Sequence, residues 1–523
     1  MAPSPDVILK ETEKEVAAVL VHLSKLLRVR NQLCSPFLQL PTETITHILS
    51  FVIGDVAPHS AWLPIFITCY CIHKIMCNAT DLWWKVDLSH GPTFGKEARV
   101  ALTRSGGSPC AMIAQLTPWD AWETMHREGV LTRWKNQRVR QGRRLHTLEF
   151  YGPPSSIPRL SWIFEKPLPC LKRLKFHVVS GLYDDVVSGP VALELPTGMT
   201  LQALDLRNVA LPWSSPLFTG LSELHLDFRD VVVPMVEDEL LRIFDVSPQL
   251  ERLSLVQVRQ TIPINGDQQL PPERIVRLPA LTYLELDNDP EVIGYLFARM
   301  EVPALISLEA HTRISDGHAA QSLGRFFPDR LPRRLFSDPP VLEVERSWQG
   351  GTSVEFTIGS FKVRFDYDAN DAEAIPNGIA ACILLVPPSV TTIQLELSKL
   401  DVWGWKEFFR SHPEVQSIEC TDFRGDPTSK PVWDALSPPE GDVQGILCPR
   451  LESIVFRMYA DTVELESLVG CLLSRRIAGF KLKHLEIVDP KQVVHKAAEF
   501  IRPLVEVFGV DFPSKLKQKV SWF

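Results

Sequence analysis

No apolar run in this 523-residue sequence approaches the ~18 residues needed to span a bilayer. The longest, such as Ile48 to Ile53, fall far short, so no membrane partner is expected. The first residues, MAPSPDVILKETEKE, carry acids and no apolar h-region, so a secretory leader is not expected either. Paired C-x-x-C spacings are missing. The ten cysteines are scattered and fit reduced thiols of a cytoplasmic or nuclear protein. Without secretion the sequon Asn78-Ala79-Thr80 carries no meaning. An excess of basic charge is lacking too: 55 Lys and Arg stand against 63 Asp and Glu, a net charge of -8. A nucleic-acid binder needs a basic face, so none is expected. There is no Walker loop, no GxSxG and no HExxH. No catalytic residues, metal or cofactor are assigned, and an enzyme is not expected.

Prolines, in contrast, are plentiful: 42 exceed the usual ~5% share. They punctuate short elements and do not gather in a linker. Residues 6–34 predict one amphipathic helix, with Val16, Val19, Leu20, Leu23, Leu26 and Leu27 at spacings of three and four. The stripe can dock on the chain's own next module or on a coiled-coil partner. The second case wants three to four heptads, more than this run supplies. Pro36 ends the helix. A second starts at Leu40-Pro41-Thr42-Glu43, with proline suited to the first turn and Glu43 to the positive end of the dipole. Ile45, Ile48, Leu49 and Val52 form its stripe. A third, nearly all apolar, is predicted from Ile65 to Cys77, before Asp81-Leu82-Trp83-Trp84.

The runs LQLPTETITHILSFV and PIFITCYCIHKIMCNATDLWWKVDL resemble an F-box, most of all the F-box proteins that mushroom-forming fungi encode in large numbers. The marks are Leu40-Pro41-x-Glu43, Cys69, and Leu82-Trp83. The likeness covers about 50 residues, and that group also tends to carry a preceding helix. Where the family usually has a tryptophan three residues after the cysteine, this chain has Ile72. The resemblance implies docking on a Skp-type adaptor and, through it, a cullin ubiquitin ligase. Leu40, Pro41, Glu43, Ile48, Leu49, Leu82 and Trp83 match the positions that form or support the adaptor surface.

From residue 145 the pattern apolar-x-x-apolar-x-apolar occurs eleven times, from Leu145-x-x-Leu148-x-Phe150 to Leu482-x-x-Leu485-x-Ile487. Starts lie 20 to 36 residues apart outside one gap, often with proline two residues earlier, as at Pro248, Pro279 and Pro413. That is the leucine-rich-repeat signature: one short parallel strand per unit, with the return on the other side. Uneven lengths and a missing asparagine after each strand predict an uneven, open array. Residues 311–389 differ. Val354 to Ile358 and Phe361 to Phe365 alternate with period two around Gly359-Ser360, a hairpin turn, so an antiparallel insertion or distorted repeats are expected. Val493 to Phe508 reads as a capping helix.

The predicted fold class is therefore α plus α/β. A helix (1–35) leads to the F-box-like module (36–90) and a helical connector (91–144). Repeats (145–310 and 390–490) flank the insertion (311–389), and the capping helix and tail (491–523) close the chain.

Other clusters admit two readings. Cys69, Cys71, His73 and Cys77 have i, i+4 pairs a metal could use, yet match no standard zinc spacing and suit packing. Asp366-Tyr367-Asp368 reads as a solvated turn. Arg133, Lys135, Arg138, Arg140, Arg143 and Arg144 form either a phosphate patch or the wet face of a helix. On the open face of the repeats, nine acids (Glu149, Asp205, Asp227, Glu285, Asp287, Glu309, Glu396, Glu419 and Glu486) stand against Lys175, Arg207 and Arg457. They either mark a surface for a protein substrate with a basic face, Asp205, Asp227, Glu285, Asp287, Glu309 and Glu396 foremost, or repeat the chain's composition. The expectation is a substrate-recruiting ligase subunit, and the alternative a repeat scaffold or sensor that assembles no ligase.

Overall fold

The computed structural model describes residues 5–53, 65, 69–87, 100–101, 103–115, 143–154, 161–164, 168–178, 191–192, 198–231, 233, 237–258, 274–314, 335, 341–346, 353–367, 389–396, 402–421, 430–437, 446–457, 465–488 and 501–511. N-terminal helices are followed by a large, mostly parallel sheet with helices on its returns. The chain divides into two compact units, Met1–Leu217 and Phe218–Phe523.

The first unit opens with α1 (Pro5–Cys34), close to the expected 6–34. Pro36 starts a short 3-10 turn, Pro36–Gln39. Then come α2 (Thr42–Ile53) and α3 (Tyr70–Asn78). The Pro41 carbonyl accepts the Ile45 N–H at 3.0 Å and so opens α2. The predicted third helix is interrupted: Ile65 is helical, and 66–68 lie outside the described residues. Cys69 is extended (φ -157°, ψ 161°) and its Sγ accepts the Ile72 N–H, so the helix begins only at Tyr70. Ile45, Leu49, Ile72, Met76, Leu82 and Trp83 form the core of this module. Trp83 Nε1 donates to the Met76 carbonyl at 2.6 Å, which satisfies the indole's one polar atom in that core.

Five parallel strands follow: β1 (Lys85–Asp87), β2 (Cys110–Gln115), β3 (Leu145–Gly152), β4 (Arg173–Val178) and β5 (Ala203–Arg207). Val86, Met112, Leu148, Leu174 and Leu204 stand in one row across them. The sheet thus starts earlier than residue 145. The expected helical connector contains β2, in which Cys110 and Met112 are buried as their counterparts in β3 are. Its sequence, Cys-Ala-Met-Ile-Ala-Gln, contains no leucine, which hid the strand from a leucine-based pattern.

The second unit contains β6 (Glu223–Asp227), β7 (Arg252–Val256), β8 (Tyr283–Asp287) and β9 (Ser307–Ile314). Next come β10 (Val341–Arg346), β11 (Ser353–Ile358) and β12 (Phe361–Tyr367). The last are β13 (Thr392–Glu396), β14 (Ser417–Thr421), β15 (Ser453–Arg457), β16 (Leu482–Val488) and β17 (Val505–Asp511). They pair in the order β6-β7-β8-β9-β12-β11-β10-β13-β14-β15-β16-β17. Only β11 runs against its neighbours. The insertion is therefore antiparallel and enters the sheet in reverse, its last strand beside β9 and its first beside β13. The hairpin turns at Gly359, whose φ of +62° favours glycine. Helices α4 (Glu237–Val246), α5 (Pro290–Arg299), α6 (Val402–Ser411), α7 (Lys430–Leu436) and α8 (Leu465–Ile477) occupy returns. α6 packs on α7 and α7 on α8, around the buried Phe409, Trp433 and Leu472.

Two further expectations are corrected. Val493 to Phe508 is not one helix. Val505–Asp511 is a strand whose Val505, Phe508 and Val510 lie beside Leu482, Leu485 and Ile487, and Pro503 stands two residues earlier as in other repeats. A 3.6-residue reading of 493–508 competed with the repeat pattern, and strand pairing won. Residues 493–500 lie outside the described residues. Nor is asparagine missing after every strand. Asn208 and Asn288 are buried just past β5 and β8, donating to the carbonyls of Val178 at 3.0 Å and Leu255 at 2.8 Å. Each supplies a side-chain donor where the strand ladder has stopped.

Leu284→Ala is expected to cost about 2–5 kcal/mol. Asn288→Ala, which removes the buried side-chain hydrogen bond to the Leu255 carbonyl, is expected to cost about 0.5–1.5 kcal/mol. Ile306→Ala, at an exposed site, should stay within about 0.5 kcal/mol. Urea unfolding midpoints of the three variants measure the ranking.

Candidate interaction surfaces

The helical module presents a groove of about 990 Å³ lined from α1 by Arg28, from α2 and its approach by Leu40, Glu43 and His47, and from α3 by Tyr70 and Lys74. Arg28 holds its guanidinium 3.8 Å from the Tyr70 ring centroid, a cation–π contact that ties α1 to α3. Among the residues matched to the F-box motif, Leu40 is 38% exposed, Pro41 and Glu43 are exposed and Ile48 is half-buried. Leu49, Leu82 and Trp83 are buried. They support the module from within and cannot touch a partner directly.

Two residues that the motif comparison passed over stand out from α2. Phe51 is 74% exposed and Val52 59%. The stripe expected to bury Ile45, Ile48, Leu49 and Val52 closes at Leu49, and its last turn faces outward. The His47 ring meets Phe51 edge-on at 4.7 Å. The signal was present in the sequence as two large apolar residues at the end of a predicted helix. Only packing could say that nothing described covers them.

The cysteine cluster resolves into a capping role for Cys69. Among the described residues, no group of three or more His, Cys, Asp or Glu is placed to hold a metal. Of the basic run, positions 133–140 lie outside the described residues. Arg144 donates to the Ser108 carbonyl and, at 2.8 Å, to Ser105 Oγ, stitching β3 to the turn before β2.

The polar face of the sheet is more evenly charged than the strand pattern suggested. In the first unit Asp205 is bridged by Lys175 at 2.9 Å and His177 at 2.7 Å. Glu149 accepts the Tyr151 hydroxyl at 3.2 Å. In the second unit Asp227 and Asp287 are buried, a correction to their assignment as open recognition residues. Each terminates a strand, and both take Arg229, at 3.7 and 3.5 Å. Asp287 Oδ2 also lies 3.2 Å from His311 Nδ1, whose Nε2 is 2.8 Å from Asp366. Asp366 additionally accepts from Arg364. It belongs to β12 and is not part of a solvated turn. Glu355 pairs with Lys362 at 2.7 Å, and Glu285 accepts the Ser254 hydroxyl at 2.8 Å. Glu309 lies beside Tyr283, whose phenol is pushed up to about 12 by burial and then by Glu285 and Glu309. Glu396 closes β13, and its side chain is outside the described residues.

The tally of nine acids to three bases omitted two sources of positive charge. Histidines were left out, and the insertion, whose place beside β9 no local pattern reveals, brings Lys362 and Arg364 together with their own acidic partners Glu355 and Asp366. A basic substrate would have to displace cationic partners at Asp205, Asp227 and Asp287, whereas Glu285 and Glu309 are met by the neutral hydroxyls of Ser254 and Tyr283.

His311 is held above the usual histidine range, first by its hydrogen bond to Asp287, with burial opposing and Asp366 adding. Burial raises Asp287, but the His311 hydrogen bond and charge, with Gln257 and Arg229, bring it below the usual carboxylate range. A raised histidine contributes stability that is fully present below its unfolded value of about 6.5 and is lost as pH rises through its folded value. The lowered Asp287 contributes above its unfolded value of about 3.9 and loses that as pH falls through its folded value. His311→Gln should therefore flatten the decline in unfolding free energy above about pH 6.5, measured by denaturant titration at a series of pH values.

No protein-family model matches this chain, and a search of curated proteins finds none significantly similar to it.

Proposed function

We propose that the chain is a non-enzymatic recruiting protein. In this reading the module of residues 36–90 is an F-box that docks on a Skp-type adaptor and so joins a cullin ubiquitin ligase. The strands that follow are an irregular leucine-rich-repeat array that presents a surface to a protein substrate. The observation that carries it is the outward apolar set Leu40, Phe51 and Val52 on a module whose own core is already closed by Trp83 and Met76. Exposed aromatic and aliphatic anchors beside polar groups suit a protein partner. The rows of parallel strands with apolar-x-x-apolar-x-apolar spacing support the repeat half of the reading.

The full chain should capture a purified Skp-type adaptor. Phe51→Ala with Val52→Ala should weaken capture at least tenfold, since truncating buried interface anchors typically costs ~2 kcal/mol or more and ~1.4 kcal/mol is tenfold. Circular dichroism should be unchanged, because both side chains are already in water. Trp83→Ala should lose capture together with the helical signal. Absence of adaptor and cullin peptides from an affinity purification of the wild-type chain would leave the scaffold or sensor reading in its place.

A further inference from the structure

α1 is 30 residues long, about 45 Å at 1.5 Å per residue. Its apolar stripe does not dock on the next module. Leu9, Val16, Val19, Leu23, Leu26 and Leu33 are between 49% and 70% exposed. Leu9 and Leu33 lengthen the stripe beyond what Val16 to Leu27 offered. These six, with Thr12 and Arg30, fall on the a and d positions of one continuous heptad frame from 9 to 33. Among the described residues, α1 meets its own module at Arg28 on Tyr70 and where the Gln39 amide donates to the Leu33 carbonyl, and the six apolar side chains stay exposed.

The charges are divided along the helix. The first half carries Asp6, Glu11, Glu13 and Glu15 against Lys10 and Lys14, whereas the second half carries Lys25, Arg28 and Arg30 and no acid. That division complements the helix dipole, but the dipole does not account for an exposed stripe. A parallel, in-register pair would set Arg30 against Arg30 and the acidic halves against each other. An antiparallel pair centred on Val21 sets Leu9 opposite Leu33, Val16 opposite Leu26 and Val19 opposite Leu23. It also brings Arg30 across from the turn bearing Glu13 and Glu15. Like charges are separated and every a position meets a d position.

We propose that α1 pairs antiparallel with α1 of a second copy of this chain. The surface is separate from Phe51 and Val52 on α2, so the pairing stands or falls independently of adaptor docking.

Sedimentation of the full chain at micromolar concentration tests it. The wild-type chain is expected at twice the chain mass. Val19→Glu with Leu23→Glu should halve that mass with circular dichroism unchanged, since both positions are in water in a single chain. Arg30→Glu, and separately Glu13→Lys with Glu15→Lys, should each shift the chain toward the single-copy mass. All three changes combined should restore the double mass, because antiparallel pairing again joins opposite charges. A wild-type chain of single mass, or a double mass that survives Val19→Glu with Leu23→Glu, overturns the proposal. So does a disulfide-linked dimer through the exposed Cys34 on mild oxidation, removed by Cys34→Ser. Antiparallel pairing holds the two Cys34 residues about 40 Å apart, and only parallel pairing joins them.

Discussion

Leu284 has Leu253 on one side and Leu308 on the other, and all three are fully buried. Rows of this kind are what the rest of the sheet depends on. Side chains alternate along a strand with period two, so a slip of one residue would carry every apolar side chain of that strand to the polar face. Each buried leucine is worth about 1.5–3 kcal/mol, and β5, β6, β7 and β8 each place two. Register is therefore held by the rows. The helices and 3-10 turns on the returns follow from it, because parallel neighbours need a crossover connection. Prolines before the strands, as at Pro279 and Pro303, set the tight turns whose last residue enters the core.

Holding one face in register decides the other face as well. Asp287, His311 and Arg364 are brought side by side because Leu286, Ala310 and Val363 are. Polar side chains on adjacent strands stand about 5 Å apart, so unmatched acids would repel. Asp287, Asp366 and Glu355 are matched by Arg229, His311, Arg364 and Lys362. The antiparallel insertion contributes two of those four. Its strands join the buried rows through Phe361 and Val363, its cations pair with its own Glu355 and Asp366, and Asp366 meets His311 of β9.

The helical module obeys a different rule. It is too small to bury much, so a few side chains carry it: Ile45 and Leu49 from α2, Met76 from α3, and Leu82 and Trp83. What this small core leaves outside is informative. The last turn of α2 and the stripe of α1 remain in water, and these are the surfaces we propose for other chains.

Periodicity alone determined where most strands lie, because a buried strand must repeat its apolar residues at every second position and its approach at the third. It also determined α1, the hairpin at Gly359-Ser360 and the start of α2, each of which depends on residues close in sequence. Strands β2 and β17 obey the same rule, yet Ala and Cys in one and a competing helical period in the other concealed them. Only the tertiary structure decided which polar residues meet. His311 and Asp366 lie 55 residues apart, and their pairing follows from the reversed entry of the insertion into the sheet. Burial was likewise beyond the sequence. Leu49 and Phe51 are near neighbours of similar hydrophobicity, and one is core while the other is surface because only one of them faces α3 and the turn that carries Trp83.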